Sequence, residues 1–115
     1  MYKHIAESFI AVAHTQCVTE TICVKVQDFC RSIVSTGPDR LLDFGGGRMI
    51  IRALDEGLFL NVSAGDLVTF YGIRTLVEGS LVKDLSCGER GLEWLPADKL
   101  PFLKINLVQR RMWNR

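Results

Sequence analysis

The sequence predicts a two-layer α+β domain, an antiparallel β meander with two helices packed on one face. Residues 41–63 contain three apolar runs separated by two turn signals, Gly-Gly-Gly at 45–47 and Asp-Glu-Gly at 55–57, a pattern typical of consecutive antiparallel strands. The segments on either side carry apolar residues at steps of three and four, as helices that cover a sheet do. The alternative is an all-β meander or barrel with one N-terminal helix.

Size and composition favour a single globular domain over residues 1–115. The chain has 48% hydrophobic residues, and its net charge is only +1, so bulk charge does not indicate a nucleic-acid-binding protein. No apolar run reaches the about 18 residues needed to span a membrane. The first residues also lack the features of a secretory signal, so we expect a cytoplasmic protein whose four cysteines are reduced.

The N-terminal third contains two elements. Residues 5–13 form either a strand or a short helix, because neither face is clearly polar. Further on, apolar residues recur at steps of three and four: Val18, Ile22, Val26, Phe29, Cys30 and Ile33. This spacing predicts a helix over 18–35, although several β-branched residues within it favour a strand locally. Gly37 and Pro38 are expected to end the helix.

The third apolar run is a strand with one buried face, because Leu58, Leu60 and Val62 alternate with Phe59, Asn61 and Ser63. A second helix is predicted over 66–85, with Asp66 or Ser63 as its N-terminal cap. In the rival interpretation, the glycines in this segment divide it into three short strands. Residues 92–95 are predicted to form a last strand that ends at Pro96.

The helix over 66–85 is the first candidate for a contact surface. It is apolar on more than one side, and Gly72 and Gly79 lie away from the side expected to face the sheet. Glycine permits a close backbone approach. We therefore predict a partner-binding surface made of Gly72, Gly79, Leu76 and, from the C-terminal segment, Trp113. A homodimer is the simplest way to bury it.

The C-terminal segment, residues 97–115, is the second candidate. Its five basic residues and one acidic residue give a net charge of +4, and apolar side chains are interleaved with the charges. Such a segment either packs on its own domain or binds a partner, including nucleic acid through phosphate contacts and stacking. The candidate anion-binding residues are Arg48, Arg52, Lys104, Arg110 and Arg111.

A wider pattern runs through residues 44–95. It consists of Phe44, then Gly47-Arg48, then Leu58-x-Leu60-x-Val62-x-Ala64-x-Asp66, an apolar helix through Val77 and Leu81, and finally Leu92-Glu93-Trp94. In this pattern the chain resembles a bacterial family of small proteins, the domain-of-unknown-function family 2218. The resemblance implies a helix, a β meander, a second helix and a closing strand, and an association with siderophore and iron-uptake genes, but no activity. The family usually places a cysteine–histidine pair near the end of its first helix, whereas Cys30 is followed by Arg31-Ser32.

Motifs for phosphate or metal binding are incomplete. A phosphate-binding loop requires GxxxxGK[ST] followed by a helix, whereas Gly45-Gly46-Gly47-Arg48 precedes a strand, so we interpret the glycines as a hairpin turn. His14, Cys17, Cys23 and Cys30 do not have the spacing of a zinc site. No metal or other cofactor is therefore predicted.

Catalytic motifs are also missing from the sequence. Cys30 or Cys87 would form a dyad with His14 only if the fold brought them together, and the carboxylates of Asp55 and Glu56 belong to a turn signal. The sequence therefore favours a non-enzymatic binding domain that acts through protein contacts. The alternatives are a nucleic-acid or anionic-ligand binding protein that uses the basic segment, and a thiol- or metal-dependent protein of iron metabolism.

Overall fold

The computed structural model describes residues 3–81 and 94–96. The described residues form two α-helices and six strands in the order β1 (His4–Ile10), α1 (Thr15–Val26), β2 (Ser32–Thr36), β3 (Asp39–Asp43), β4 (Gly47–Leu54), β5 (Gly57–Ala64), α2 (Leu67–Leu81) and β6 (Leu95–Pro96). The strands form one open antiparallel sheet in the order β2-β3-β4-β5-β1-β6, and β6 has only two residues. The predicted α+β class is confirmed.

The three apolar runs are three neighbouring strands, β3, β4 and β5, as the sequence predicted. Residues 67–81 form one continuous helix, so the all-β alternative and its division at Gly72 and Gly79 are wrong. Residues 82–85, the end of the predicted helix, lie outside the described part. Packing explains why two glycines do not break α2, since its apolar face is held against the sheet and tertiary contacts routinely outweigh local propensity.

The main core lies between the helices and one face of the sheet. From the helices it contains Ile22, Cys23, Val26, Phe70, Ile73, Val77 and Leu81. From the central strands it contains Met49, Ile51, Leu58, Leu60 and Val62, all fully buried. These strand residues alternate along the chain, so both helices cover the same face.

The predicted helix over 18–35 is wrong in its second half. Helix α1 ends at Val26, a 3-10 turn follows at Gln27–Phe29, and Ser32–Thr36 form the edge strand β2. The periodic positions Phe29 and Ile33 therefore do not continue the buried face of a helix. Gly37 (φ 59°) and Pro38 link β2 to β3 in a hairpin, because Gly37 tolerates the left-handed backbone conformation.

The ambiguous N-terminal segment is strand β1, which pairs along its whole length with β5. Of the predicted closing strand over 92–95, only Leu95 lies in β6, which pairs with Ala6 and Glu7 of β1. Trp94 precedes β6 and Pro96 belongs to it, so these two bounds were wrong; residues 92–93 lie outside the described part. None of the helices in the described part is long and apolar enough to cross a membrane.

The expectation of a single buried face on the third run is also incorrect, because all eight residues of β5 are buried. On the face away from the helices, Phe59 packs with Ile50 and tilts against Phe9, with 4.8 Å between the ring centroids of the two phenylalanines. Beside them, Asn61 donates a hydrogen bond to buried Glu7 (2.7 Å) and accepts one from Ser63 (3.1 Å). This face therefore combines apolar packing with a satisfied polar network.

Candidate functional site

Helix α2 begins with a side-chain cap. The carboxylate of Asp66 accepts a hydrogen bond from the backbone N–H of Thr69 (2.9 Å) and a second from its hydroxyl (3.0 Å). These hydrogen bonds, the backbone one above all, lower the pKa of Asp66. The sequence had offered Asp66 or Ser63 as the cap, and Asp66 takes the position. The cap fixes where the helix starts and therefore which residues face outward.

The outward side of α2 is a stripe of exposed residues at helical spacing: Val68, Tyr71, Gly72, Thr75 and Gly79. Val68 is 85% exposed, Tyr71 53% and the adjacent Leu67 52%. We call Leu67, Val68, Tyr71, Gly72 and Gly79 the α2 patch. Large apolar side chains exposed side by side on one helix are typical of a contact surface.

The two glycines of the α2 patch leave the helix backbone accessible. A Cβ atom added at Gly72 or Gly79 would meet nothing within 4 Å, so the packing of the described residues does not require either glycine. Leu76, predicted to belong to the same surface, is instead half-buried against the core. Trp113 lies outside the described residues. The structure thus places two of the four predicted partner-binding residues on one exposed face.

A groove of about 430 Å³ lies next to this patch, between α2, the start of β1 and Trp94. We call it the Arg74 groove. Its walls include Lys3, His4, Phe70, Tyr71, Arg74 and Trp94. Among the described residues that line it, none is acidic. The groove is therefore aromatic and positively charged.

Arg74 is surrounded by rings. Its Cζ atom lies 5.5 Å from the ring centroid of Phe70, 5.0 Å from that of Tyr71 and 5.1 Å from that of Trp94, distances at which a cation is attracted to a ring. The indole N–H of Trp94 donates to Glu78 Oε1 (2.7 Å), which holds the indole against α2. The Arg74 Nε atom is buried, and no hydrogen-bond partner for it is found among the described residues.

Sequence reasoning missed this groove. A local signal existed, since Arg74 lies four residues after Phe70 and three after Tyr71, and residues at these spacings are neighbours on a helix. Trp94 and Lys3 gave no such signal, because only the fold brings them to α2.

The predicted anion-binding arginines do not form a site together in the described structure. Arg48 and Arg52 both lie on β4, on the sheet face away from the helices. The guanidinium of Arg52 pairs with both carboxylate oxygens of Asp39 (2.7 and 3.0 Å), and this hydrogen bonding raises the pKa of Arg52. Arg48 is exposed opposite Asp43 in the strand register. Lys104, Arg110 and Arg111 lie outside the described residues.

Gly45 and Gly46 lie in a hairpin turn, as predicted, whereas Gly47 is the first residue of β4. The backbone N–H of Gly45 donates to the Asp43 side chain (2.8 Å), and Gly65 N–H donates to the carbonyl of Gly46 (3.2 Å). Gly47 lies directly against Ile73 of α2, so the end of the turn forms part of the packed structure. Asp55 and Glu56 are exposed in the turn between β4 and β5, again as predicted.

The described cysteines are all free thiols, with Cys17 exposed, Cys23 buried and Cys30 half-buried. Burial raises the pKa of Cys23 and of Cys30, which disfavours the reactive thiolate. Within residues 3–81 and 94–96, no three His, Cys, Asp or Glu side chains are grouped as metal ligands would be. His14 precedes α1 and Cys30 follows its other end, whereas Cys87 lies outside those ranges, so a dyad of Cys87 with His14 stays a hypothesis.

Comparisons with known proteins support the fold alone. The chain matches the NMR structure of PA4090 from Pseudomonas aeruginosa with a TM-score of 0.66 and 14% sequence identity, over 84% of this chain and 99% of that one. No protein-family model matches the chain. No curated protein matches it significantly.

Proposed function

We propose that this protein is a small, non-enzymatic cytoplasmic domain that acts through protein contacts and forms a homodimer through its α2 patch. The exposure of Val68, 85% on the outer side of a helix, is the observation that carries the proposal. An aliphatic side chain gains free energy when it leaves water. Leu67 and Tyr71 extend this apolar surface along the first turns of α2.

The two glycines support a close contact between helices. Each lowers the stability of the helix by about 1 kcal/mol relative to alanine, and neither is needed for space inside the described fold. Glycine on an exposed helix face allows another backbone to approach closely. A second copy of the same face would meet it across a two-fold axis, so that each residue of the patch contributes twice.

Sedimentation equilibrium at high micromolar concentration tests the dimer. We expect a dimer for the wild-type chain and at least about tenfold weaker association for Val68→Glu, because like charges that face each other across an interface cost several kcal/mol. The matched control is Val24→Glu, since Val24 is 62% exposed on α1. A monomeric wild-type chain, or equal effects of both variants, would overturn the homodimer.

A second experiment separates stability from association. Replacing Gly72 and Gly79 by alanine should stabilise the isolated fold by about 1 kcal/mol per site and yet weaken the dimer, because each added methyl group separates the helices. Urea unfolding at low concentration and sedimentation at high concentration measure the two effects. Unchanged association would show that the glycines are not at the contact. A native mass in a lysate above that of the homodimer would indicate a different protein partner.

The nucleic-acid alternative depends on the segment 97–115, which lies outside the described residues. It also uses Arg48 and Arg52 of β4, and Arg52 forms an ion pair with Asp39. This alternative predicts binding that weakens steeply with salt and disappears when the chain ends at Pro96. The thiol- or metal-dependent alternative predicts a reactive cysteine or a bound metal, and elemental analysis with thiol titration tests it.

A further inference from the structure

We propose that the Arg74 groove binds a small organic anion, namely a carboxylate attached to a flat apolar body. This site shares Leu67 and Tyr71 with the α2 patch, but it depends on Arg74, which is not part of that patch. Variants of Arg74 and of Val68 therefore test the two proposals independently.

The charge of the groove favours an anion. Lys3, His4 and Arg74 line it, and none of its described lining residues is acidic. Arg74 is half-buried, with its guanidinium close to three rings that restrict its access to water. Because a partly desolvated cation gains more from an ionic partner than an exposed one, Arg74 favours an anion in the groove.

The geometry of Arg74 favours a carboxylate. The surrounding rings limit the rotation of a side chain that would otherwise lose considerable rotamer entropy on binding. A fixed, planar guanidinium presents parallel N–H donors that match the two oxygens of a carboxylate. Nε is buried and has no acceptor among the described residues, so the carboxylate is expected to bind through the two terminal NH₂ groups.

The walls of the groove favour a flat apolar body on the same ligand. The exposed ring of Tyr71 lies beside Phe70 in an edge-on arrangement, with centroids 5.3 Å apart, and the ring of His4 lies 5.8 Å from Phe70 on the β1 side. Aromatic walls favour stacking with a planar ligand. The volume of about 430 Å³ falls within the range of small-molecule sites.

The probe is 2-naphthoate, and its neutral analogue 2-naphthalenemethanol has the same body without the charge. We expect naphthoate to shift the amide NMR signals of α2 and β1 in the full-length protein, and to bind at least about tenfold more tightly than the alcohol, because charge-assisted hydrogen bonds are roughly twice as strong as neutral ones. Equal binding of both compounds would overturn the carboxylate assignment. Absence of any shift with naphthoate would overturn the site.

The decisive variant is Arg74→Gln, which keeps polarity and much of the length of the side chain but removes the charge. We expect it to weaken naphthoate binding at least about tenfold, and Arg74→Lys to restore only part of the affinity, because lysine cannot form the bidentate contact. Arg31→Gln removes an exposed arginine outside the groove and should leave binding unchanged. An amide spectrum confirms that each variant is folded.

Two further outcomes decide the class of ligand. Tighter binding of adenosine monophosphate than of naphthoate would assign the groove to phosphate ligands and contradict the carboxylate. Unchanged naphthoate affinity in a folded Arg74→Gln variant would show that the guanidinium does not hold the ligand.

Discussion

Gly47 has no room for a side chain, because α2 lies directly against the start of β4. An added Cβ atom would lie 2.7 Å from Ile73 Cδ1 and 2.8 Å from the carbonyl oxygen of Ser63. The second of these atoms belongs to the paired strand β5 and has little freedom to move. The packing of α2 against β4 therefore requires a glycine at position 47.

We accordingly expect Gly47→Ala to lower the free energy of unfolding by about 1–3 kcal/mol, the usual cost of overpacking. The matched control is Gly72→Ala, which adds the same methyl group to open space and should raise stability by about 1 kcal/mol. Urea unfolding of both variants at low micromolar concentration provides the comparison. Wild-type stability in Gly47→Ala would contradict the close contact.

The described thiols differ in exposure, and so should their rates of modification. In a Cys87→Ser background, we expect iodoacetamide at neutral pH to modify exposed Cys17 first. Cys23 and Cys30 should react more slowly, because burial raises the pKa of both and lowers their thiolate fraction. Peptide mass mapping over time measures the order. Rapid modification of Cys23 would instead favour a thiol-dependent function.

At the scale of the element, α2 depends on its cap. The hydrogen bonds from Thr69 lower the pKa of Asp66 below its ordinary value of 3.8, so the ionised form stabilises the folded state. This contribution is fully present above the pKa of the unfolded chain and is lost as the pH falls through the lower pKa of the folded state.

We therefore expect Asp66→Ala to be less stable than the wild type near neutral pH and the difference to shrink in acid. Asp66→Asn should lose less, because asparagine also caps helices well. Thermal unfolding as a function of pH measures both effects, with the side-chain titration of Asp66 followed by NMR. A difference between wild type and Asp66→Ala that stays constant into acid would contradict an ionised cap.

At the scale of the whole molecule, the homodimer links stability to concentration. Association that requires folded chains raises the thermal midpoint as the protein concentration increases. We expect this rise for the wild type and a nearly flat response for Val68→Glu. Calorimetry across the range from low to high micromolar concentration tests the link, and a flat wild-type midpoint would contradict the α2 contact.

The amino-acid sequence by itself determined the centre of this protein. The meander β3-β4-β5 follows from local signals, namely the glycine and Asp-Glu-Gly turns between apolar runs. The helix α2 follows from a helical repeat of apolar residues that begins after a capping residue. The outward position of Gly72 and Gly79 follows from the same repeat. These features were predictable because neighbouring residues specify them.

Only the tertiary structure decided the rest. Ser32–Thr36 became a strand because pairing with β3 outweighed a helical spacing. Glu7 and the β5 residues beside it, Asn61 among them, are buried although the pattern of β5 looked half-polar. The Arg74 groove joins residues from the beginning, middle and later part of the chain. Local sequence patterns do not contain such contacts, since they depend on how distant segments pack.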